Sequence, residues 1–375
     1  MVNRYFLIGT FLLLLIAPIV NDTFSIVTYE RADENRVFHD SLSLNINKLD
    51  NFPSDCENYI ADNFSFRTPF IQLYKNIKMN VFHVAPSDQE ESVLIGSDHR
   101  FFIGSEEKKL YEREHTFSSA QLDSFQAEWL YRMNNFKKRS IKSYVLIAPT
   151  ALEVYPTNLP ANIQQLAYNN QSMQLKKRMN KLYPNQITYP LSTLKGKAKH
   201  ENLYFKLDNH WNQLGAYYAI KALFKTIQTT EPTTNFDFMK HVAFSETEIT
   251  GGYLATLIGK PHLKEKVPLV DLKETTYQSI QAFGFKAPDN FSYQFDYEKH
   301  FKNPAAKNKQ KVLIIRDSFG DNCIPFLAQA YEETLFIFDA WQYGRNEEII
   351  DRYKPDVIIY ITYERYLINY IRPSN

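Results

Sequence analysis

Val312-Leu313-Ile314-Ile315-Arg316-Asp317-Ser318-Phe319-Gly320 is an apolar run that breaks abruptly into a short polar turn. An uninterrupted apolar stretch of this length reads as a strand buried on both faces. Residues 144–148, ended by Pro149, repeat the pattern, as do residues 335–338 and 357–360. Helical spacing fills the intervals. Leu122, Phe125, Trp129 and Met133 mark a helix over 119–138, and further helices are predicted over 161–182, from Asn212 through Ala216, Ala219 and Leu223, and near 322–333 and 346–353. Buried strands alternating with helices imply an α/β fold whose central, mostly parallel sheet is covered on both faces. Chemistry in such sheets collects at the carboxyl ends of the strands. Ser318 stands at one of those ends.

Bulk composition narrows the classes. The chain has 375 residues, 44% hydrophobic and 23% charged, which suits a globular protein with a substantial core. Its 43 basic and 42 acidic side chains nearly cancel, which argues against a dedicated nucleic-acid binder. The basic clusters Lys137-Lys138-Arg139 and Lys176-Lys177-Arg178 read as solvated helix faces. Only two cysteines occur, Cys56 and Cys323, without metal-type spacing, so no structural zinc site is expected. Their spacing alone does not establish a disulfide.

Arg4 precedes a charge-free run, Tyr5 to Val20, followed by Asn21-Asp22. This run resembles a signal-peptide core or an uncleaved signal anchor, and no small-x-small cleavage site follows it. We read residues 1–27 as a membrane anchor or signal sequence, with the anchor favoured. The basic N-terminal flank places the remainder outside the cytoplasm, on the periplasmic or cell-surface side. Residues 28–118 read as a lead-in packing on the core. It contains a helix starting near Asp50 and a hairpin formed by 93–96 and 101–104 around a polar turn. Residues 119–375 form the catalytic domain, with an irregular insertion near 230–310 whose end, 302–311, reads as a solvated loop.

Two stretches carry chemistry. Asp208-Asn209-His210-Trp211-Asn212 feeds a helix, and Asp317-Ser318-Phe319 follows a buried strand. A serine hydroxyl is a poor nucleophile without an adjacent base. His210 is the candidate base, with Asp208 fixing its tautomer and stabilising the imidazolium. Each element has a plain alternative: Ser318 and Asp208 as helix caps, His210 as a packed histidine. The two together point to an acyl-transfer triad. Among their neighbours, Asn322 suits a side-chain oxyanion donor or an ordinary helix-start residue. Tyr363, Glu364 and Arg365 follow the last strand and line the pocket or, for the charged two, form a surface pair. Trp211 contacts sugar or packs the His210 loop.

The ordered motifs resemble those of the DHHW and AlgJ/AlgX-like proteins, SGNH-hydrolase-like O-acetyltransferases of exopolysaccharide modification. Asp208-Asn209-His210-Trp211 with Leu214-Gly215-Ala216 is similar to the family's D-x-H-W signature. Glu34-Asn35-Arg36, Asp62-Asn63-Phe64-Ser65-Phe66-Arg67, Leu94-Ile95-Gly96 with Phe101-Phe102, Ala148-Pro149-Thr150, Val154-Tyr155-Pro156, Leu159-Pro160 and Gly252-Tyr253-Leu254-Ala255 match in order. The resemblance implies an SGNH-type three-layer fold, Ser318 as nucleophile, His210 as base and Asp208 as its orienter. It also implies a polysaccharide acceptor, no metal or other cofactor, and a membrane-bound O-acyltransferase as partner supplying acetyl groups. A carbohydrate esterase with the same triad, or a non-catalytic polysaccharide-binding scaffold, are the alternatives. Two positions depart from the family. Arg316 replaces a frequent Gly, which bears on the oxyanion surroundings. Pro149-Thr150-Ala151 lacks the family's lysine, which leaves its substrate contact unfilled.

Overall fold

The computed structural model describes residues 4–27, 38–39, 41–42, 50–80, 92–166, 169–289, 291–338 and 343–371; Glu34-Asn35-Arg36 lies outside them. The chain divides into two compact units, the smaller comprising residues 1–86, 256–260 and 289–292. In that unit α1 (Arg4–Phe24) is followed by α2 (Phe52–Asn63), with Pro53 in its first turn, and α3 (Arg67–Asn80). With 21 residues, α1 is about 31 Å long at 1.5 Å per residue and is apolar enough to cross a membrane.

The larger unit opens with the hairpin β1 (Val93–Ile95) and β2 (Phe101–Ile103), paired antiparallel. Next come α4 (Glu106–Glu112), α5 (Ser119–Lys138), β3 (Lys142–Ala148), α6 (Ala151–Val154) and α7 (Gln171–Asn180). They are followed by β4 (Ile187–Thr188), α8 (Leu191–Lys197) and α9 (Gln213–Thr230). A ribbon of β5 (Ala243–Thr250) and β6 (Lys264–Asp271) flanks α10 (Tyr253–Leu257). The chain then forms β7 (Gln278–Ser279), β8 (Glu298–Lys302), β9 (Asn308–Arg316), α11 (Ile324–Ala330), β10 (Tyr331–Ile337), α12 (Tyr343–Tyr353) and β11 (Val357–Tyr363).

The seven-stranded sheet has the order β4-β3-β11-β9-β10-β8-β7. Its first five strands run parallel, while β8 and β7 add antiparallel at one edge. The sheet is therefore mixed, as a mostly parallel reading allows. Leu146, Ile147, Leu313, Ile314, Ile358 and Ile359 are wholly buried, which explains why these strands carry no alternation. After β9 the chain moves to β10 on one side and then to β11 on the other, so β9 lies at a reversal of strand order, where ligand crevices form.

Three expectations need correction. The helix predicted over 161–182 spans only Gln171–Asn180, because Asn170 accepts the Met173 N–H and sets the start there. The helix predicted near 322–333 is a 3-10 turn (Ser318–Cys323) followed by α11, and β10 already begins at Tyr331. The 302–311 loop is shorter than expected, since β9 starts at Asn308. Asn308 seats that start by donating to the Asn235 and Ala330 carbonyls. Both cysteines are free thiols, and Cys323 is buried with Sγ 3.7 Å from the Phe319 carbonyl.

Candidate active site

The loop before α9 is closed on itself. Tyr204 and Trp211 form an antiparallel bridge, and the Phe205 and Asn212 N–H groups donate to the carbonyls of His210 and Leu203 at 3.1 and 2.9 Å. Asn212, not Asp208, caps α9; its Oδ1 accepts from Leu214 and Gly215 at 3.0 and 3.1 Å. Asp208 is thereby left for the histidine. Its Oδ1 lies 2.6 Å from His210 Nδ1 and accepts the His210 N–H at 3.0 Å. Its Oδ2 accepts the Tyr253 N–H at 2.9 Å. The Gly252-Tyr253 turn can approach because Gly252 has φ +142°, and a Cβ there would sit 2.4 Å from the Leu207 carbonyl oxygen. Glu265 on β6 accepts the Lys206 and Leu207 N–H groups at 2.8 and 3.0 Å and holds the same loop from another side.

Ser318 opens the 3-10 turn after β9, and its Oγ lies 2.7 Å from His210 Nε2, although the two residues are 108 positions apart. Two bonds fix this approach. Trp211 Nε1 donates to the Phe319 carbonyl, and Asn322 Nδ2 donates to the Trp211 carbonyl, both at 2.8 Å. The His210 and Phe319 ring centroids are 4.7 Å apart. Asp317 is buried beneath the nucleophile, and its two oxygens accept the Phe319 and Tyr363 N–H groups, pinning the turn to the end of β11.

Burial raises the Asp208 carboxyl, but the His210 charge, the ring hydrogen bond and the Tyr253 and His210 amides outweigh it and hold the group at about 2. Burial likewise depresses His210, yet the charge and hydrogen bond of Asp208, with the charges of Asp317 and Asp321, leave its pKa above the ordinary value. Burial pushes Asp317 up to about 6 against its amide donors, His210 and Arg316. The combination is a partly exposed hydroxyl on a neutral-to-cationic imidazole whose far nitrogen faces a firmly ionised carboxylate. Such a set is equipped for proton transfer during attack by Ser318 Oγ.

The remaining neighbours divide. Trp211, Arg316 and Tyr363 are all buried, and Trp211 takes the alternative of packing the His210 loop. Arg316 turns from the serine to Asp321, 2.9 Å from Nη1, and over the Phe338 ring at 4.2 Å. Gly320 leaves the room it needs: a Cβ at 320 would fall 2.6 Å from that of Arg316. Tyr363 stacks on Phe319 at 4.1 Å. Asn322 is half-buried beside the site with its amide nitrogen engaged by Trp211. Arg365 is half-buried with its guanidinium 5.8 Å over the Tyr366 ring. Glu364 is buried, accepting from the Thr150 N–H, Ser172 and Tyr189, and burial with the nearby Glu153 charge raises it to about 7. Ala151, at the position of the expected lysine, is buried in the first turn of α6, which Thr150 caps by accepting the Glu153 N–H. Among the described residues no His, Cys, Asp or Glu cluster is arranged to hold a metal. Sequence reasoning assigned no role to Asp317, Tyr253 or Glu265. Only the positions of Asp317 beside Ser318 and of Gly252 before Tyr253 hinted at them.

Residues 93–286 match the family model described as the SGNH hydrolase-like domain of the acetyltransferase AlgX. No curated protein sequence matches the chain. Among solved structures, Bacillus cereus PatB1 superposes with TM-score 0.54 at 17% identity, covering 75% of this chain and 100% of that one. A DHHW family protein from Eubacterium siraeum gives 0.49 at 18% identity over 75% and 93% of the two chains. The O-acetyltransferase domain of Pseudomonas putida AlgJ gives 0.47 at 12% identity over 74% and 92%.

Proposed function

Since the chain belongs to the family of SGNH hydrolase-like, AlgX-type acetyltransferases, we propose that it acetylates hydroxyls of a cell-envelope or exported polysaccharide through an acetyl-Ser318 intermediate. The observation carrying this reading is the 2.7 Å approach of Ser318 Oγ to His210 Nε2, with Asp208 behind the ring. His210 takes the hydroxyl proton as Oγ attacks the acetyl carbonyl of a donor, and returns it to the donor's leaving group as the tetrahedral adduct collapses. A sugar hydroxyl then surrenders its proton to His210 and attacks the acetyl-serine, releasing acetylated sugar and regenerating Ser318 with its proton. No metal or other cofactor takes part.

The acetyl supplier in this reading is a membrane-bound O-acyltransferase. The enzyme works on the extracytoplasmic side, tethered by α1, whose length and apolar character suit a span. A structure of Bacillus cereus PatB1 carries a sulfonyl adduct; by analogy, a sulfonyl fluoride should modify Ser318 here. The test is incubation of the full chain with an activated acetyl ester, with and without oligosaccharide, followed by mass spectrometry. Acetylated sugar, together with an acetyl group trapped on Ser318, supports the proposal. Free acetate alone makes the protein an esterase, and unchanged transfer by Ser318→Ala refutes the serine mechanism.

A further inference from the structure

We propose that α3 lies in the membrane surface beside α1 and binds anionic lipid through an exposed apolar stripe. The stripe is Phe70, Leu73, Tyr74 and Ile77, spaced i, i+3, i+4 and i+7 on one face of the helix. These side chains are 42, 54, 50 and 42% exposed, whereas Lys75 on another face is buried. An amphipathic helix normally turns such a stripe inward. Here it faces outward, and Ile60 on α2 is exposed as well.

What covers the stripe is indicated by its continuity with α1. The corner between α2 and α3 is docked on the candidate span: Ser65 Oγ lies 3.5 Å from the Pro18 carbonyl. Phe66 helps line an apolar groove of about 490 Å³ with Leu13, Ile16, Ala17 and Val20 of α1. Phe70 continues this contact outward, its ring 6.2 Å from Phe66 and 5.8 Å from Phe64. Pro18 is near the end of the apolar window, which closes at Asn21. The stripe therefore begins at the depth where hydrocarbon gives way to headgroups, the depth at which interfacial helices seat their apolar face, about 5–10 Å into that boundary. Chemistry agrees with position. α3 carries no acidic residue, and while Lys75 is buried, Lys78 Nζ sits 4.7 Å from the Tyr74 ring centroid, an amphipathic pairing suited to an anionic headgroup layer. The occupant is thus the lipid surface, and the proposal rests on reading α1 as a membrane span.

The test uses the full-length chain, with Cys56→Ser to remove the accessible thiol, reconstituted in phosphatidylcholine–phosphatidylglycerol vesicles. A polarity-sensitive nitrobenzoxadiazole probe is attached in turn to Leu73→Cys, Ile77→Cys, Gln72→Cys and Leu12→Cys, and circular dichroism checks each fold. We expect a several-fold emission rise at positions 73 and 77, quenched by lipid spin-labelled near the headgroup. Position 72 should show no rise, and position 12 should be quenched by lipid labelled near the chain end. A water-exposed probe at 73 with a quenched probe at 12 overturns the proposal while leaving the anchor standing. Shielding at 73 without lipid quenching also overturns it, since a second copy or another protein then covers the stripe. An unquenched probe at 12 refutes the anchor itself, and the proposal falls with it.

Discussion

Replacing Asp208 by Asn tests the triad at its most constrained member. Asp208 accepts three hydrogen bonds, from His210 Nδ1 and N–H on Oδ1 and from Tyr253 N–H on Oδ2. An amide has one acceptor oxygen. If that oxygen stays on His210, the new NH2 faces the Tyr253 N–H, an unsatisfied buried donor pair costing about 1–3 kcal/mol. If the amide flips, it faces His210 Nδ1 with a donor and forces the wrong tautomer. The lost charge gives a second measure of stability. A fall of the carboxyl from 3.8 to about 2 corresponds to roughly 2 kcal/mol. Because the folded-state value is depressed, this contribution is present above pH 3.8 and disappears as pH falls through about 2. His210 has the opposite sign: its raised value stabilises below 6.5 and that contribution is lost as pH rises through the folded-state pKa. In Asp208→Asn the melting temperature at pH 7 should therefore fall, and acetyl-ester turnover should drop by roughly 10³–10⁴, about 4–5.5 kcal/mol of barrier. The pH profile of kcat/KM should also change. In the wild type the raised His210 pKa places the rise of its basic form above its ordinary position, and in the variant that limb should move to lower pH. Turnover within tenfold of wild type, with an unmoved limb, would refute the assignment of Asp208.

Ser318→Ala should abolish acetyl transfer and sulfonyl labelling while leaving the melting temperature within a few degrees, because a partly exposed hydroxyl adds little stability. Gly252→Ala places a Cβ 2.4 Å from the Leu207 carbonyl oxygen at φ +142°. It should destabilise by about 1–3 kcal/mol and depress kcat as Tyr253 is pulled from Asp208, read by thermal melts and ester hydrolysis. Asn322→Ala removes the bond to the Trp211 carbonyl. A stability loss of about 1 kcal/mol is expected, with a kcat decrease exceeding any KM change, because the serine turn loosens against the histidine loop.

The strands that carry the site were legible because burial on both faces leaves an unbroken apolar record, as at Val312 to Ile315. Strands at the edge leave none. β8 reads Glu-Lys-His-Phe-Lys and pairs with β10 on one side and with the two residues of β7 on the other, so its sequence suggested irregular chain. The overlong helix over 161–182 has a different cause. Apolar spacing alone would continue the helix, but Asn170 Nδ2 donates to Glu153 and to the Tyr189 hydroxyl and fixes a buried cap there.

At the site, sequence could pair the residue types but not supply the forces that join them. Local spacing does explain Asp208 and His210, since a carboxylate two positions earlier can turn back onto the ring. Nothing local places Ser318 there. The meeting depends on Trp211 and Asn322, which exchange bonds with the opposite loop through backbone carbonyls. A carbonyl acceptor leaves no mark in the sequence, because every residue carries one. The same blindness applies to Asp317, whose oxygens hold the Phe319 and Tyr363 amides. Residue type left Trp211 open between contacting sugar and packing the His210 loop; in the fold its ring is buried and its N–H acts as a strut. A residue's type therefore announced the candidate reacting groups, whose chemistry is their own. It concealed the supports, whose partners are generic backbone. Substitutions at Trp211, Asn322 and Asp317 should accordingly affect rate through the Ser318–His210 distance, a dependence that only the folded chain reveals.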